Sequence, residues 1–336
     1  VQTVVDPLMC GIAGFGSMHL FLPELNEHKL IDFYGKAPLN VKEDMWEELI
    51  EKETEDGFGF ILKGRVNEMG YQSITTPMTL KALSYVSEKF GTIEISELLN
   101  PAISYAENGF LVRPHVSFYL NNEKNSGRMS QFDKIKNFKS AKKVFFKNDN
   151  ELFQAGDILK NQDMAKTYKE ISKKGVNDFY EGNLAKKMIS DIKYNDGLLS
   201  MLDLKDVKPK ESIPLKSSYK DYEITTNSPP GGGIMLLEML NIIENFNIEN
   251  IEHNSAKYIA LLSEVMKIAT VDKDKYIGDP KFVDVPISLL ISKDYALKKS
   301  EFIKAGNRTK VSRFNKRIDE TKDTTHVTTV DSLGNC

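Results

Sequence analysis

Apolar residues recur at three- and four-residue spacing over much of the chain, and that period predicts a helix-rich protein with a few extended pieces. Residues 17–35 (SMHLFL, PELNEH, KLIDFYG) predict two strands around a polar turn, and FGFILKG (58–64) predicts a further strand of the same sheet. From Thr76 the period changes. Thr76 is placed to cap a helix and Pro77 to occupy its first turn, with Leu80, Leu83 and Val86 at helical spacing and Gly91 as the stop. Residues 96–108 repeat the pattern, with Pro101 at a boundary and Gly109 at the end. Residues 121–135 read as a polar surface loop, and 161–174 and 178–195 as two helices separated by Gly175.

Extended character returns over residues 219–226 and stops at the turn Asn227-Ser228-Pro229-Pro230-Gly231-Gly232-Gly233. An apolar helix follows through Ile234, Leu237, Leu240 and Ile243. A second helix carries Ile259, Leu262, Met266 and Ala269 on its core side. Residues 312–321 are charged and lack periodicity, which predicts a mobile linker delivering a short strand over residues 324–331. No repeat and no break in composition argues for a second domain.

Composition sharpens this picture by exclusion. The 336 residues are 40% hydrophobic and 28% charged, close to soluble globular averages. Lys plus Arg number 45 against 48 Asp plus Glu, a net charge of −3 with the signs interleaved, so no electrostatic case for nucleic acid exists. The Lys-rich stretch from Lys134 to Lys147 reads as a solvated face, with a phosphate-binding patch as the rarer alternative. No apolar run reaches the roughly 18 residues of a membrane span. The apolar start, broken by Asp6 and Pro7, lacks the form of a secretory signal. Because the chain opens on Val1, its compartment stays open.

Two cysteines, Cys10 and Cys336, make no disulfide framework. The five histidines (His19, His28, His115, His253, His326) are scattered, so no metal and no cofactor is expected. The stretch Cys10-Gly11-Ile12-Ala13-Gly14-Phe15-Gly16 fails the dinucleotide fingerprint at Ala13 and reads as a tight backbone passage. Cys10 reads as a small hydrophobe rather than a nucleophile. Gly231–Gly233 reads as a loop-to-helix turn, with an anion-binding nest as the alternative.

The run Asp323-Thr324-Thr325-His326-Val327-Thr328-Thr329-Val330-Asp331 puts a hydroxyl at the head of the last predicted strand. By propensity alone it is a Thr-rich strand. With strict alternation His326 shares the face of Thr324, as a structural histidine or one that tunes a site.

The chain resembles the gamma-glutamyltranspeptidases along nearly its whole length, in the ordered segments VVDPLMCGIAGFG, LIDFYGKAPLN, KFGTIEISELLNPAISYAENGF, FQAGDILKNQDMAKTYKEISKKGVNDFYEGNLAKKMISDI, SPPGGGIMLLEMLNIIENF and YIGDPKFVDVP, anchored by DTTHVTTVDSLGN. The resemblance implies an N-terminal nucleophile hydrolase: an α/β (α+β) fold, a four-layer αββα sandwich, of which this chain gives mainly the helix-rich large subunit. Residues 1–323 would be the large-subunit part of one domain and 324–336 the start of the small subunit. It implies autocleavage between Asp323 and Thr324, with Thr324 then acting as the catalytic nucleophile. The exposed α-amino group would serve as its base. The partners implied are a γ-glutamyl or related amide substrate and the remainder of the small subunit, with neither nucleic acid nor membrane.

Departures from the family's pattern bear on substrate. Where typical members carry an arginine for the substrate's α-carboxylate, this chain has Tyr34, either a pocket residue or simple packing. A phenol cannot make the bidentate charge-assisted contact of a guanidinium, so an acylase acting on glutaryl-type amides is the alternative. Ala13 and Phe15 stand where glycines are usual. Only residues 324–336 follow the cleavage point, so the chain is expected to be a piece truncated at both ends. A non-catalytic subunit is the remaining alternative.

Overall fold

The computed structural model describes residues 1–54, 59–121, 129–148, 151–311 and 324–336, in two compact units. The first unit comprises Val1–Gly16, Asp32–Lys210 and residues 324–328. The second comprises Ser17–Ile31, residues 211–311 and Thr329–Cys336. Both mix helix and strand.

In the first unit, helix Asn100–Asn108 packs against helix Gln162–Lys174. Both helices bury residues, Ala102 and Ala106 on one and Ala165, Tyr168 and Ile171 on the other. Both helices stop where expected, at Gly109 (φ 98°) and Gly175 (φ 86°), in a backbone region that side chains with a Cβ rarely adopt. Pro101 sits in the first turn of its helix. The stretch predicted as 178–195 is two helices, Asn177–Tyr180 and Asn183–Tyr194, divided at Gly182.

The helix predicted from Thr76 begins at Thr79 and ends at Phe90, with Gly91 as its C-cap. Thr76 does not cap it: its hydroxyl accepts from the Lys36 amide (2.7 Å) and donates to the Lys36 carbonyl (3.2 Å). The open amides at the helix start are met instead by the glycine-rich passage. Met78 N and Thr79 N donate to Gly14 O (2.8 and 2.9 Å), and Leu80 N to Ile12 O (3.0 Å). The passage thus works as a backbone cap.

Tyr180, 1% exposed, donates to the Pro77 carbonyl (3.0 Å) and accepts from the Lys81 amide (2.9 Å), and burial pushes its phenol pKa up. Tyr180→Phe leaves both backbone groups unpaired in the interior. We expect a loss of about 1–3 kcal/mol, read as a lower urea midpoint at unchanged slope.

Two further expectations are corrected in this unit. Phe60–Leu62 pairs antiparallel with Ile50–Glu53 in its own two-stranded sheet, not with the first hairpin, because IEKE supplies a backbone ladder without any alternation to announce it. The predicted loop 121–135 contains helix Gln131–Lys136, capped by Ser130, whose Oγ accepts from Asp133 N (3.1 Å). Residues 122–128 lie outside the described residues.

In the second unit, strands Gly16–Leu22 and Glu27–Phe33 form the expected neighbours around the turn Pro23–Leu25, and Lys210–Ser212 adds a third strand. The run 219–226 is not one extended piece. Leu215–Tyr219 and Tyr222–Thr226 form a hairpin that turns at Lys220 (φ 52°). Helix Gly233–Ile243 follows the Pro-Gly turn, and an added Cβ at Gly233 would lie 2.1 Å from the Asn227 carbonyl, so the tight turn itself requires this glycine.

Helices Gly233–Ile243, Ala256–Tyr276 and Lys293–Lys304 bury Ile242, Leu261, Val265, Ile268 and Ala296 together. Ile259 and Met266, expected in the core, are 53% and 58% exposed. The buried face of that helix instead runs through Leu261, Glu264, Val265, Ile268, Ala269 and Asp272, and two acidic residues on it disguise its period.

His19 and His28 on the neighbouring strands meet at 3.1 Å (Nδ1 to Nε2). Burial lowers both pKa values, helped at His19 by the charge of His28 and at His28 by Lys216. A depressed histidine pKa means that the unfolded chain takes up protons first. The pair's contribution is therefore present above about pH 6.5 and is lost as pH falls. Replacing both by glutamine is expected to shrink the drop in melting temperature between pH 7 and pH 5.

Candidate functional site

Residues 324–331 are coil rather than the strand expected, and all but Thr325 are exposed. Alternating β-formers favour extended backbone, but a ladder needs a partner strand, and none pairs with this segment among the described residues. Asp323 and the linker 312–321 lie outside the described residues. Thr324 is exposed, and the next residue, Thr325, is half-buried and held. Thr325 Oγ1 donates to Asp6 Oδ2 (3.2 Å) and accepts from Gln2 Nε2.

Gln2 and Asp6 lie one helical turn apart. Helix Gln2–Val5 is closed by Asp6 N donating to Gln2 O (2.9 Å), and four-residue spacing puts both side chains on one face. That short helix is fixed in turn. Val4 is buried, and the Thr3 hydroxyl shares a hydrogen bond of 2.5 Å with Tyr168 Oη on helix Gln162–Lys174. The chain then folds around Asp6, whose carbonyl accepts from Met9 N (3.1 Å) and Cys10 N (3.2 Å). The second carboxylate oxygen of Asp6 lies 3.8 Å from His115 Nε2.

Sequence reasoning missed Asp6, Gln2 and His115. The one available signal was a charge interrupting an apolar run at VVDP, because a half-buried carboxylate needs a partner. His326, expected to share a face with Thr324, is exposed and bonds Thr328 Oγ1 at 2.7 Å. Cys10 is half-buried, and burial followed by the charge of Asp6 pushes its thiol up to about 11, so it stays protonated at neutral pH. That protonation state fits a small packed side chain rather than a nucleophile.

Tyr34 follows the strand Glu27–Phe33 and is half-buried, its amide donating to Asp32 Oδ1 (2.9 Å). The loop it opens is fastened repeatedly. Beyond the Lys36–Thr76 bonds, Leu39 N donates to Asp203 Oδ1 (2.7 Å) and Asn40 Nδ2 to the Leu198 carbonyl (2.8 Å), and Lys36 pairs with Asp206 (2.9 Å). Asp203 is itself locked by the Ser200 capping box.

Past Thr328 the chain closes a compact turn. Asp331 Oδ1 accepts from Leu333 N and Asn335 N (2.9 Å each), and Oδ2 from Asn335 Nδ2 (2.8 Å). These bonds, the Asn335 side chain first, hold the Asp331 carboxyl below the usual range. In the Lys-rich stretch, Lys143 pairs with Asp163 (2.6 Å) and Lys147 with Asp157 (2.5 Å), which answers part of its charge. Among the described residues no group of three His, Cys, Asp or Glu could hold a metal, and no helix is long and apolar enough to cross a membrane.

This mixed α/β chain has counterparts among solved structures. Helicobacter pylori gamma-glutamyltranspeptidase matches with a TM-score of 0.79 and 31% identity, over 90% of this chain and 82% of that one. The gamma-glutamyltranspeptidase family model matches residues 1–336. The chain belongs to the gamma-glutamyltranspeptidase family. Among curated relatives it is similar to a glutathione hydrolase proenzyme of Pseudomonas sp. strain A14, 31% identical over 99% of this chain and 55% of the relative. It is equally similar to an acylase ACY 1 proenzyme of Pseudomonas sp. strain SE83, 31% identical over 99% of this chain and 57% of that relative. The chain therefore spans little more than half the length of the curated relatives it matches.

Proposed function

We propose that this chain is the large-subunit part of a self-cleaving amide-transferring enzyme, with residues 1–323 preceding the cleaved bond and Thr324 opening the small subunit. The observation that carries the reading is an exposed Thr324 beside an anchored Thr325, in a chain that matches the family over its whole length. The full protein would have the four-layer αββα arrangement, completed by the remainder of the small subunit. In the precursor, Thr324 Oγ attacks the Asp323 carbonyl carbon, and water resolves the resulting ester. The freed α-amine then serves as base for the hydroxyl of the same residue. The acyl-threonine formed on a γ-glutamyl amide passes to water or to an amine acceptor.

A second reading, acylase action on glutaryl-type amides, is favoured by one residue: Tyr34 provides no guanidinium for an α-carboxylate. Both readings share the processing step. Intact mass of the full-length protein is expected to show two polypeptides, the second beginning with Thr324, and a single uncleaved chain for Thr324→Ala. An uncleaved parent after long incubation would sink the assignment. Turnover of paired γ-glutamyl and glutaryl amides, differing only in the α-amino acid group, then separates the two substrate readings.

A further inference from the structure

Self-cleavage demands that one hydroxyl reach one carbonyl carbon along a narrow approach, and Thr324 is exposed. The residue after it is gripped. Thr325 Oγ1 donates to the Asp6 carboxylate (3.2 Å) and accepts from the Gln2 amide, so both capacities of the hydroxyl are used by side chains on one face of a single turn. Neither partner is loose. The helix that carries them is fastened through buried Val4 and the Thr3–Tyr168 bond, and Asp6 is wrapped by its own Met9 and Cys10 turn.

We propose that Asp6 and Gln2 are positioning residues for self-cleavage, acting through the hydroxyl of Thr325 to fix the peptide bond immediately before Thr324. The inference rests on the reading of Thr324 as nucleophile. It assigns Asp6 no proton: as the new bond from Thr324 Oγ to the Asp323 carbonyl carbon forms and the C–N bond breaks, the hydroxyl proton ends on the departing amine. Water then splits the ester into the Asp323 carboxyl and the Thr324 hydroxyl. The clamp supplies orientation only.

The same clamp matters more once the bond is cut. Thr324 is then a chain end joined to the protein only through Thr325, and its amine and hydroxyl have no upstream segment to steady them. Release of Thr325 would leave the nucleophile free to rotate away from a bound amide. Substrate affinity, set elsewhere, would be untouched.

The test uses the full-length protein, with cleavage followed by intact mass over time and fold checked by circular dichroism and melting temperature. Thr325→Val removes the hydroxyl at nearly constant volume and is expected to slow cleavage on the order of 10²-fold. Thr325→Ser, which keeps the hydroxyl, is expected within a few-fold of the parent. Asp6→Ala is expected to slow cleavage comparably to Thr325→Val, and the double variant no further than the slower single one, because both remove one contact. In processed enzyme, kcat is expected to fall with KM unchanged.

Cleavage of Thr325→Val at the parent's rate, or effects that multiply in the double variant, would overturn the clamp. If Thr325→Val does not fold, Gln2→Leu addresses the same contact from the other side with the same expected slowing, and a parent-like rate there overturns it equally. Failure of the underlying reading looks different. In that case the parent does not cleave before Thr324, or Thr324→Ala cleaves as well.

Discussion

Thr324→Ala in the full-length protein is expected to leave a single polypeptide with amide turnover lower by on the order of 10⁶-fold, the scale on which acyl-transfer enzymes lose rate when the nucleophile is removed. Two losses combine in that variant. The hydroxyl that attacks the Asp323 carbonyl is gone, so the α-amine is never freed, and the hydroxyl that would accept the substrate acyl group is gone as well. Thr324→Ser keeps both functions and is expected to cleave and turn over, more slowly because its side chain has freer rotation about χ1. The pH profile carries the second half of the argument. An unperturbed α-amine titrates at about 7.7–8.0 and works as a base only when unprotonated, so turnover by processed enzyme should rise through that range. Selective acetylation of the new amine should abolish turnover while leaving the hydroxyl intact. A flat profile, or an acetylated enzyme that still turns over, would remove the amine from the mechanism.

Glu238→Gln is expected to stabilise the protein by up to about 3.5 kcal/mol at pH 7 and by almost nothing near pH 4.5. Glu238 is 0% exposed on helix Gly233–Ile243, with both carboxyl oxygens buried. It faces Asp272, whose Oδ2 is taken by Tyr295 Oη (2.7 Å) and Lys299 Nζ (3.4 Å). Burial first and the Asp272 carboxylate second push Glu238 up to about 9, against a slight pull from Lys299, so it keeps its proton at neutral pH.

The sign follows from the order of the two pKa values. Between an ordinary value of 4.5 and about 9 the native state holds a proton that the unfolded chain releases, so stability falls as pH rises across that window. At about 1.4 kcal/mol per unit, the roughly 2.5 units up to pH 7 give the figure above. A glutamine has no proton to lose and can donate to Asp272. Urea midpoints of both proteins at pH 5, 7 and 8.5 check it, and a difference that does not grow with pH would refute the assignment of a protonated Glu238.

Much of the helical frame was legible because its signals are local. Gly91, Gly109 and Gly175 end their helices where the period of apolar residues also ends, and the Pro-Gly turn announces helix Gly233–Ile243. The errors have distant causes. Thr76 looks like a cap until Lys36, forty residues away, takes its hydroxyl. Ile259 and Met266 look like core because Glu264 and Asp272 look like surface, and only the partners in neighbouring helices and in the chain beyond explain acids on a buried face. Asp272 is met by Tyr295 and Lys299 of helix Lys293–Lys304, and Glu264 accepts from Thr309 N (2.9 Å). The site divides in the same way. Thr324 and Asp323 were marked by resemblance rather than by spacing, whereas Asp6 and Gln2 meet Thr325 across more than three hundred residues, a relation no local pattern encodes.

The fastenings of the Tyr34 loop also set a timetable for a growing chain. Leu39 waits for Asp203, 164 residues later, and at roughly 5–20 residues per second of synthesis that delay is on the order of 10–30 s. Until then the loop can be bonded by Thr76 but not closed, and a nascent chain paused in between would offer it to proteases. Thr324 is made later still. A ribosome therefore finishes the frame around Tyr34 before it delivers the residue proposed to cut the chain, so the order of translation would place the proposed scission after that frame is made.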